Sequence, residues 1–357
     1  MTTVLIMAGG TGGHVFPALA VADVLRARAC NVVWLGTRRG IEARVVPAAG
    51  IRIEWVRVSG LRGKGVLSWL GAPFRLLRAL GDALGAMRRC RPDVVLGLGG
   101  FVAGPGGVAA RLLGRPLVIH EQNAIAGLTN RILARLAGTV AEAFPGSFPA
   151  DVGAIAVGNP VRRAIEGLPV RPPLTRARAH LLVVGGSQGA AALNRLLPAA
   201  LALVAAADRP EVLHQTGRDR RDMVAGAYAT AGIEADVREF IDDMAAAYAW
   251  ADLAVCRSGA LTVAELAAAG LPGVLVPFPA AVDDHQTANA RFLACRGAAL
   301  LLPEASLTAE SLAAELRILL GPDRRRYDAM AEAARRAAMP GAAERLADLC
   351  LAAGKAA

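Results

Sequence analysis

Short apolar runs alternate with helix-length segments along most of the chain. The first run, Val4–Met7, is continuous and shows no alternation of apolar and polar residues, which is typical of a strand buried on both faces of a parallel sheet. Nine further short runs are Val32–Leu35, Val94–Leu98, Leu117–His120, Ile155–Val157, His180–Val184, Glu211–Gln215, Asp236–Ile241, Leu253–Cys256 and Gly273–Pro277. Because helical segments separate these runs, the pattern predicts parallel sheets with helices on both faces.

The second half of the chain repeats the opening of the first half. "VLIMAGGTGGHVFPAL" near the N-terminus and "HLLVVGGSQGAAALN" from His180 both contain a strand, a glycine cluster and a helix. A Pro- and Arg-rich stretch, Asn159–Arg178, lies between the halves, and we interpret it as a linker. The sequence therefore predicts an α/β protein with two Rossmann-like, doubly wound parallel-sheet domains, residues 1–160 and 161–340, which face each other across a cleft.

Length and cysteine content indicate the class of protein. A chain of 357 residues suits two domains. Its N-terminus lacks the basic segment of a signal peptide, and no apolar stretch approaches the roughly 18 residues that span a bilayer. The five cysteines are scattered without C-x-x-C spacing, which indicates reduced thiols rather than disulfides or zinc ligands. These features predict a cytoplasmic protein.

The net charge of +10 lies in the first half of the chain. Residues 1–160 contain 18 Lys and Arg against 8 Asp and Glu, whereas residues 161–357 contain 22 of each. A basic half indicates an anionic partner, which can be nucleic acid, an acidic membrane surface or a phosphate-bearing substrate, although a solvated basic face gives the same pattern. Nucleic acid is disfavoured because the aromatic residues are not interleaved with the basic ones.

One basic segment also carries large apolar residues. Val66, Leu67, Trp69 and Leu70 lie beside Lys64, and we interpret them as candidates for contact with an acidic membrane surface. The apolar residues that follow at helical spacing are expected to be ordinary core contacts: Phe74, Leu77, Leu80, Leu84 and Met87.

The first glycine cluster does not match the dinucleotide-binding fingerprint. A G-x-G-x-x-G pattern counted from Gly10 and Gly12 arrives at Val15, and the second strand ends without an acidic residue for a ribose. Arg38 and Arg39 follow that strand and would suit a 2′-phosphate, so a nicotinamide cofactor is disfavoured without being excluded. The glycines still allow backbone N–H groups to approach a diphosphate closely.

Two further glycine-rich segments have alternative interpretations. Gly97–Gly107 contains too many glycines for a helix or strand and predicts a turn that is flexible or approaches a ligand. Ser187 and Gln188 lie in the second glycine cluster, where a strand ends and a helix starts. Ser187 can be an N-cap, but the same helix N-terminus can bind a diphosphate, which is the interpretation we favour.

Polar residues follow two of the predicted strands. His14 is either a capping or packing residue or, at the carboxyl edge of the first strand, a general base near neutral pH. The sequence "HEQN", His120 to Asn123, directly follows an apolar strand and suits a hydroxyl-rich ligand better than a core.

Two acidic motifs in the second half are ambiguous. Thr262 and Glu265 have the spacing of a capping box, but Glu265 could equally accept hydrogen bonds from the vicinal hydroxyls of a ribose. Asp283 and Asp284 are adjacent acids, but no second cluster of ligands with matching spacing accompanies them. We therefore predict no metal.

An ordered series of motifs resembles one family. "GGTGGHVFPALAVA", "GPGG", "HEQNAIAGLTN", "GNPVR", "GGSQGA", "EFIDDMAAAYAWADLAVCRSGALTVAELAAAGLP" and "HQTANA" run from Gly9 to Ala290, and together they closely resemble the MurG family of glycosyltransferases. The resemblance implies two Rossmann-like domains of the GT-B type, without a metal or cofactor. It also implies transfer of N-acetylglucosamine, with inversion, from UDP-N-acetylglucosamine to an undecaprenyl-diphosphate-linked N-acetylmuramoyl-pentapeptide.

The resemblance further implies a role for each half of the chain. The first domain, joined by a C-terminal helix in residues 341–357, would bind the lipid-linked acceptor on the cytoplasmic face of the anionic inner membrane as a peripheral protein. The second domain would bind the UDP-sugar, and no nucleic acid is implied. The nearest alternative with the same fold is another UDP-sugar enzyme, such as a UDP-N-acetylglucosamine 2-epimerase.

Site residues are implied where this sequence matches the family motifs. His14 matches the histidine proposed as the general base. The remaining implied contacts are Thr11, Gly12 and Gly13 for the donor sugar and diphosphate, Asn123 and Gln286 for the sugar, Arg162, Ser187 and Gln188 for the diphosphate region, Ile241 for uracil through its backbone, and Arg257, Ala260, Leu261, Thr262, Val263, Ala264 and Glu265 for the nucleotide and ribose.

Overall fold

A computed structural model describes residues 1–58, 72–171, 174, 176, 178–186 and 189–355 of the chain. The chain divides into two compact units. Unit 1 comprises Met1–Arg162 and Gly341–Ala357, and unit 2 comprises Arg163–Pro340. Each unit is described separately, with strands and helices numbered in chain order.

Unit 1 is built on a parallel sheet with the strand order β3-β2-β1-β4-β5-β6-β7. Its strands are β1 (Thr3–Met7), β2 (Asn31–Gly36), β3 (Arg52–Trp55), β4 (Val94–Gly97), β5 (Leu117–Glu121), β6 (Thr139–Glu142) and β7 (Ile155–Ala156). Its helices are α1 (Gly12–Ala27), α2 (Glu42–Ala48), α3 (Ala72–Cys90), α4 (Gly100–Leu112), α5 (Leu128–Leu133) and α14 (Ala342–Lys355), with a short 3-10 turn at Ala150–Val152.

Both faces of the unit 1 sheet are buried, which explains the unbroken apolar runs. Along β1, Val4 and Ile6 point into a core shared with α1 and α14, whereas Leu5 and Met7 point into a second core shared with α3 and α4. Successive side chains of a strand lie on opposite faces, so a strand covered on both sides must be apolar throughout.

The last helix of the chain packs on unit 1. Leu346 and Cys350 of α14 are buried in the same core as Val4 and Ile6. The guanidinium of Arg345 donates to the Val157 carbonyl at 2.6 Å. Sequence-distant residues thus complete the core of unit 1.

Unit 2 repeats the strand order of a doubly wound sheet, β10-β9-β8-β11-β12-β13, and all of its strands are parallel. The strands are β8 (His180–Val184), β9 (Glu211–Gln215), β10 (Ala235–Arg238), β11 (Leu253–Cys256), β12 (Gly273–Leu275) and β13 (Ala299–Leu301). The helices are α6 (Arg163–Glu166), α7 (Ala191–Ala202), α8 (Arg221–Thr230), α9 (Met244–Trp250), α10 (Ala260–Ala268), α11 (His285–Ala294), α12 (Ala309–Leu320) and α13 (Arg325–Ala337), with 3-10 turns at Ala206–Asp208, Val282–Asp284 and Glu304–Ser306. The predicted fold class, two Rossmann-like parallel-sheet domains, is confirmed.

The prediction of a turn over Gly97–Gly107 is wrong. Helix α4 begins at Gly100 and includes most of the segment. A Cβ on Gly106 would overlap the Met7 sulfur, and a Cβ on Gly107 would lie 2.5 Å from a Leu133 methyl. The glycines therefore let α4 pack closely on β1 and α5, and this packing offsets their low helix propensity.

The prediction that Phe74 and Leu77 are core residues is also wrong. Phe74 is 76% exposed and Leu77 65% exposed, although both lie on α3. The helix buries Ala79, Ala83 and Ala86 in the core, together with Met87, and Leu80 and Leu84 pack against the same core, as predicted. Alanine permits a closer helix approach than leucine, so α3 packs through its small residues and leaves the large apolar side chains of its first turns on the surface.

Among the described helices, none combines the length and apolar character needed to cross a membrane. Val66, Leu67, Trp69 and Leu70, the candidates for membrane contact, lie outside the described residues.

Candidate active site

His14 lies where the carboxyl ends of three neighbouring strands of unit 1 meet. It is the third residue of α1, which follows β1, and its ring is half-buried. The Nδ1 atom of His14 is 2.8 Å from Oε1 of Gln122, which follows β5. The loop after β4 makes room for the ring, because a Cβ on Gly99 would lie 3.1 Å from the His14 Cε1 atom. The switch point between β1 and β4 is where doubly wound sheets bind ligands.

The polar "HEQN" segment is largely buried rather than open to a ligand, contrary to prediction. His120, Glu121 and Gln122 are each almost completely buried. The Glu121 carboxylate accepts from the Asn123 backbone and side-chain N–H groups, at 2.9 and 3.1 Å, and from Asn130 Nδ2 at 2.9 Å. Buried polar groups need hydrogen-bond partners, and here other parts of the same unit supply them. Asn123 itself is half-buried.

A buried carboxylate that sequence analysis missed holds the first glycine loop. Glu42 accepts from the Gly10 N–H at 3.0 Å through Oε2, and from the Thr37 N–H and hydroxyl at 3.0 and 2.7 Å through Oε1. The side chain is fully buried. It therefore ties the loop after β1 to the loop after β2.

The other predicted residues of unit 1 lie around the start of α1. Thr11 is the N-cap residue, and Gly12 and Gly13 form the first turn, where backbone N–H groups lack helical acceptors. The Arg162 guanidinium lies 5.5 Å from the centre of the Phe16 ring, so this arginine, expected with the second domain, belongs to unit 1.

In unit 2, Gln215 links the second glycine loop to the turn that contains Ile241. Its Nε2 donates to the Gly186 carbonyl at 3.1 Å, and its Oε1 accepts from the Ile241 N–H at 3.0 Å. The backbone N–H of Ile241, the residue predicted to contact uracil through its backbone, therefore has a partner within unit 2. Ser187 and Gln188 lie outside the described residues.

The capping-box interpretation of Thr262 and Glu265 is wrong. Helix α10 begins at Ala260 with Gly259 as its N-cap, so Thr262 already lies within the first turn. Glu265 is buried, and the Tyr248 hydroxyl donates to its Oε2 at 3.0 Å. The predicted contacts from Ala260 through Glu265 thus form the first turns of one helix.

Arg257 is held by its own unit. Its Nη1 donates to the carbonyls of Val276 and Pro277, each at 3.1 Å, and its Nη2 pairs with Glu304 at 2.5 Å. It therefore orders the turn after β12. Gln286 lies beside the same turn and accepts from the Phe278 N–H at 2.9 Å.

No group of three or more His, Cys, Asp and Glu side chains that could hold a metal ion occurs within the described parts of the chain.

Two family models match the chain. Residues 4–142 match the glycosyltransferase family 28 N-terminal domain, and residues 180–346 match the glycosyltransferase family 28 C-terminal domain. Two relatives, from Nitrosococcus oceani and Alkalilimnicola ehrlichii, are 60% and 59% identical, and each match covers 98% of both chains. Both are named UDP-N-acetylglucosamine--N-acetylmuramyl-(pentapeptide) pyrophosphoryl-undecaprenol N-acetylglucosamine transferase.

Solved structures agree with these matches. The crystal structure of Acinetobacter baumannii MurG matches with a TM-score of 0.82 and 42% identity, over 99% of this chain and all of that one. The calicheamicin glycosyltransferase CalG4, at 20% identity and a TM-score of 0.70 over 100% of both chains, shows the same fold. These matches confirm the resemblance drawn from the motifs: the chain belongs to glycosyltransferase family 28.

Proposed function

We propose that the protein transfers N-acetylglucosamine from UDP-N-acetylglucosamine to the 4-hydroxyl of an undecaprenyl-diphosphate-linked N-acetylmuramoyl-pentapeptide. The observation that carries the proposal is 60% identity, over 98% of both chains, to a relative named for this reaction. The names of the relatives favour a transferase over a UDP-sugar epimerase.

His14 is the general base in this proposal. The acceptor 4-hydroxyl attacks the anomeric carbon of the donor, the new C–O bond forms as the bond to the diphosphate breaks, and UDP leaves with the electron pair. Nε2 of His14 takes the hydroxyl proton. The position of His14 at the sheet switch point, with its Nδ1 held by Gln122, supports this role.

Unit 2 binds the donor in this proposal. The backbone N–H groups of Ala260, Leu261 and Thr262 lie in the first turn of α10, which is a favourable place for a diphosphate. Glu265, one turn further on, accepts hydrogen bonds from the two ribose hydroxyls. The hydrogen bond from the Tyr248 hydroxyl, at 3.0 Å, holds the Glu265 carboxylate in place.

Unit 1 faces the membrane in this proposal, on its cytoplasmic side and as a peripheral protein. A groove of about 520 Å³ on its surface is lined by apolar residues of α3, α4 and α5, including Leu76, Leu77, Pro105 and Ile132. Exposed apolar patches of this kind mark interaction sites, and the excess of basic residues in this half suits an anionic lipid surface.

The test is UDP release by the purified protein, with and without a lipid-diphosphate muramoyl-pentapeptide analogue and in the presence of EDTA. We expect release that requires the acceptor and resists the chelator. His14→Ala should lower kcat about 100-fold or more, whereas Glu265→Gln should mainly raise the KM for UDP-N-acetylglucosamine, by about tenfold or more. Conversion of the UDP-sugar without acceptor would contradict the transferase assignment.

A further inference from the structure

A chain of hydrogen bonds runs from His14 into the interior of unit 1. His14 Nδ1 is 2.8 Å from Gln122 Oε1, Gln122 Nε2 is 3.0 Å from His120 Nδ1, and His120 Nε2 is 2.9 Å from the Gly158 carbonyl oxygen. Gln122 and His120 are buried, whereas His14 is half-buried. These hydrogen bonds therefore join the candidate base, His14, to groups that solvent does not reach.

The orientation of the Gln122 amide follows from its neighbours. One end of the amide lies 3.1 Å from the His120 backbone carbonyl, which can only accept a hydrogen bond. That end must be the NH2 group, so the amide oxygen faces His14. An amide oxygen only accepts, and the Nδ1 atom of His14 must therefore carry a proton.

The protonation of the His120 ring agrees with this direction of the hydrogen bonds. The Gly158 carbonyl requires a proton on His120 Nε2, which leaves the lone pair of a neutral ring on Nδ1, facing the Gln122 NH2 group. Burial lowers the pKa of His120 to about 4, so the ring is neutral near pH 7. Every donor in this series of hydrogen bonds then meets an acceptor.

We propose that Gln122 is a positioning residue that fixes His14 as the Nδ1–H tautomer and leaves the lone pair on Nε2, the nitrogen on the opposite edge of the ring. The hydrogen bond made by one ring nitrogen decides which state the other can take. The inference rests on the proposed function, in which Nε2 takes the acceptor proton. The imidazolium formed in that step keeps its Nδ1–H bond to Gln122, so the ring need not reorient.

The tautomer can be measured without any assay of activity. Long-range proton–nitrogen NMR correlations of the histidine rings distinguish a protonated Nδ1 from a protonated Nε2. In the unaltered protein we expect His14 to carry its proton on Nδ1. Gln122→Met removes the acceptor at nearly constant size, and the Nε2–H form should become populated. The measurement on the unaltered protein tests the assignment even if the methionine variant does not fold.

Measurements of kcat and KM distinguish a positioning role of Gln122 from a general loss of structure. Gln122→Met should lower kcat about tenfold or more with little change in the KM for UDP-N-acetylglucosamine. In a His14→Ala background the same substitution should change kcat less than twofold, because Gln122 acts through His14. The matched control is Asn194→Ala: Asn194 is equally buried but lies in unit 2, where it donates to the Thr216 carbonyl at 3.1 Å. That variant should leave the His14 tautomer unchanged.

Two results would overturn the inference: an Nε2–H tautomer of His14 in the unaltered protein, or equal effects of Gln122→Met with and without His14. If His14→Ala alone leaves kcat unchanged while the tautomer is as expected, the base in the proposed function is wrong and the hydrogen-bond assignment stands.

Discussion

His214 is a buried histidine in unit 2 that is held neutral by its surroundings. Its Nε2 donates to Asn194 Oδ1 at 3.1 Å, and its Nδ1 accepts from the Tyr228 hydroxyl at 2.9 Å. Burial lowers its pKa from 6.5 to about 4. The unfolded chain therefore takes up this proton at a higher pH than the folded chain does.

From this difference we predict a loss of stability in acid. As the pH falls from about 6.5 to about 4, the free energy of unfolding should decrease by up to about 3 kcal/mol through His214 alone. His214→Gln, which can keep both hydrogen bonds without titrating, should lose less stability over the same range. Urea unfolding of both proteins at pH 7 and pH 4 measures the difference. Equal losses would show that His214 does not titrate on unfolding.

Residues such as Gln122 could be noticed from the sequence, but their role could not be assigned from it. A polar residue at the end of an apolar strand is visible in "VIHEQN", and it predicted a ligand contact. The partner of Gln122, His14, lies 108 residues away, and the partner of Glu42, Gly10, lies 32 residues away. Only the folded sheet brings such groups together, so their role in fixing loops and a histidine tautomer required the structure.

At the scale of elements, the second glycine loop depends on a close backbone approach. Gly186 and Gly189 both have a positive φ, +82° and +72°. A Cβ on Gly189 would overlap the Thr216 carbonyl oxygen, whereas a Cβ on Gly186 meets no described atom within 4 Å. The two positions differ in contact but not in backbone conformation.

We therefore expect unequal effects of alanine at these two glycines. Gly186→Ala should cost about 1–2 kcal/mol of unfolding free energy from backbone strain alone. Gly189→Ala adds a clash with rigid backbone and should cost about 2–5 kcal/mol, with a raised KM for UDP-N-acetylglucosamine. Thermal or urea unfolding of the paired variants compares them, and equal costs would contradict the close approach.

Most strands of the two sheets could be predicted from the sequence, and some other elements could not. All ten predicted apolar runs overlap strands of the two sheets. The runs did not include β3 (Arg52–Trp55), β6 (Thr139–Glu142) or β13 (Ala299–Leu301). Helix α4 was missed because helix propensity disfavours its glycines. Their role is to allow close packing against β1 and α5, and this packing is visible only in the fold.

At the scale of the whole molecule, charge and exposed apolar surface occur in the same unit. The excess of ten positive charges lies in residues 1–160, and the groove lined by Leu76, Leu77 and Ile132 lies on that unit too. An anionic membrane attracts basic residues by about 1 kcal/mol each near its surface, and burial of apolar side chains adds to this attraction. The two contributions respond differently to salt, because ions screen only the first.

We therefore predict salt-sensitive binding to anionic vesicles that also depends on the apolar groove. The protein should sediment with vesicles containing phosphatidylglycerol more than with phosphatidylcholine vesicles, and added salt should weaken this binding. Leu77→Ser should weaken it about tenfold or more, since burial of a leucine contributes about 1.5–3 kcal/mol. Met223 of α8 in unit 2 is 66% exposed, close to the 65% of Leu77, so Met223→Ser is the matched control and should bind as the unaltered protein does. Equal binding by both variants would show that the groove on unit 1 does not contact the lipid.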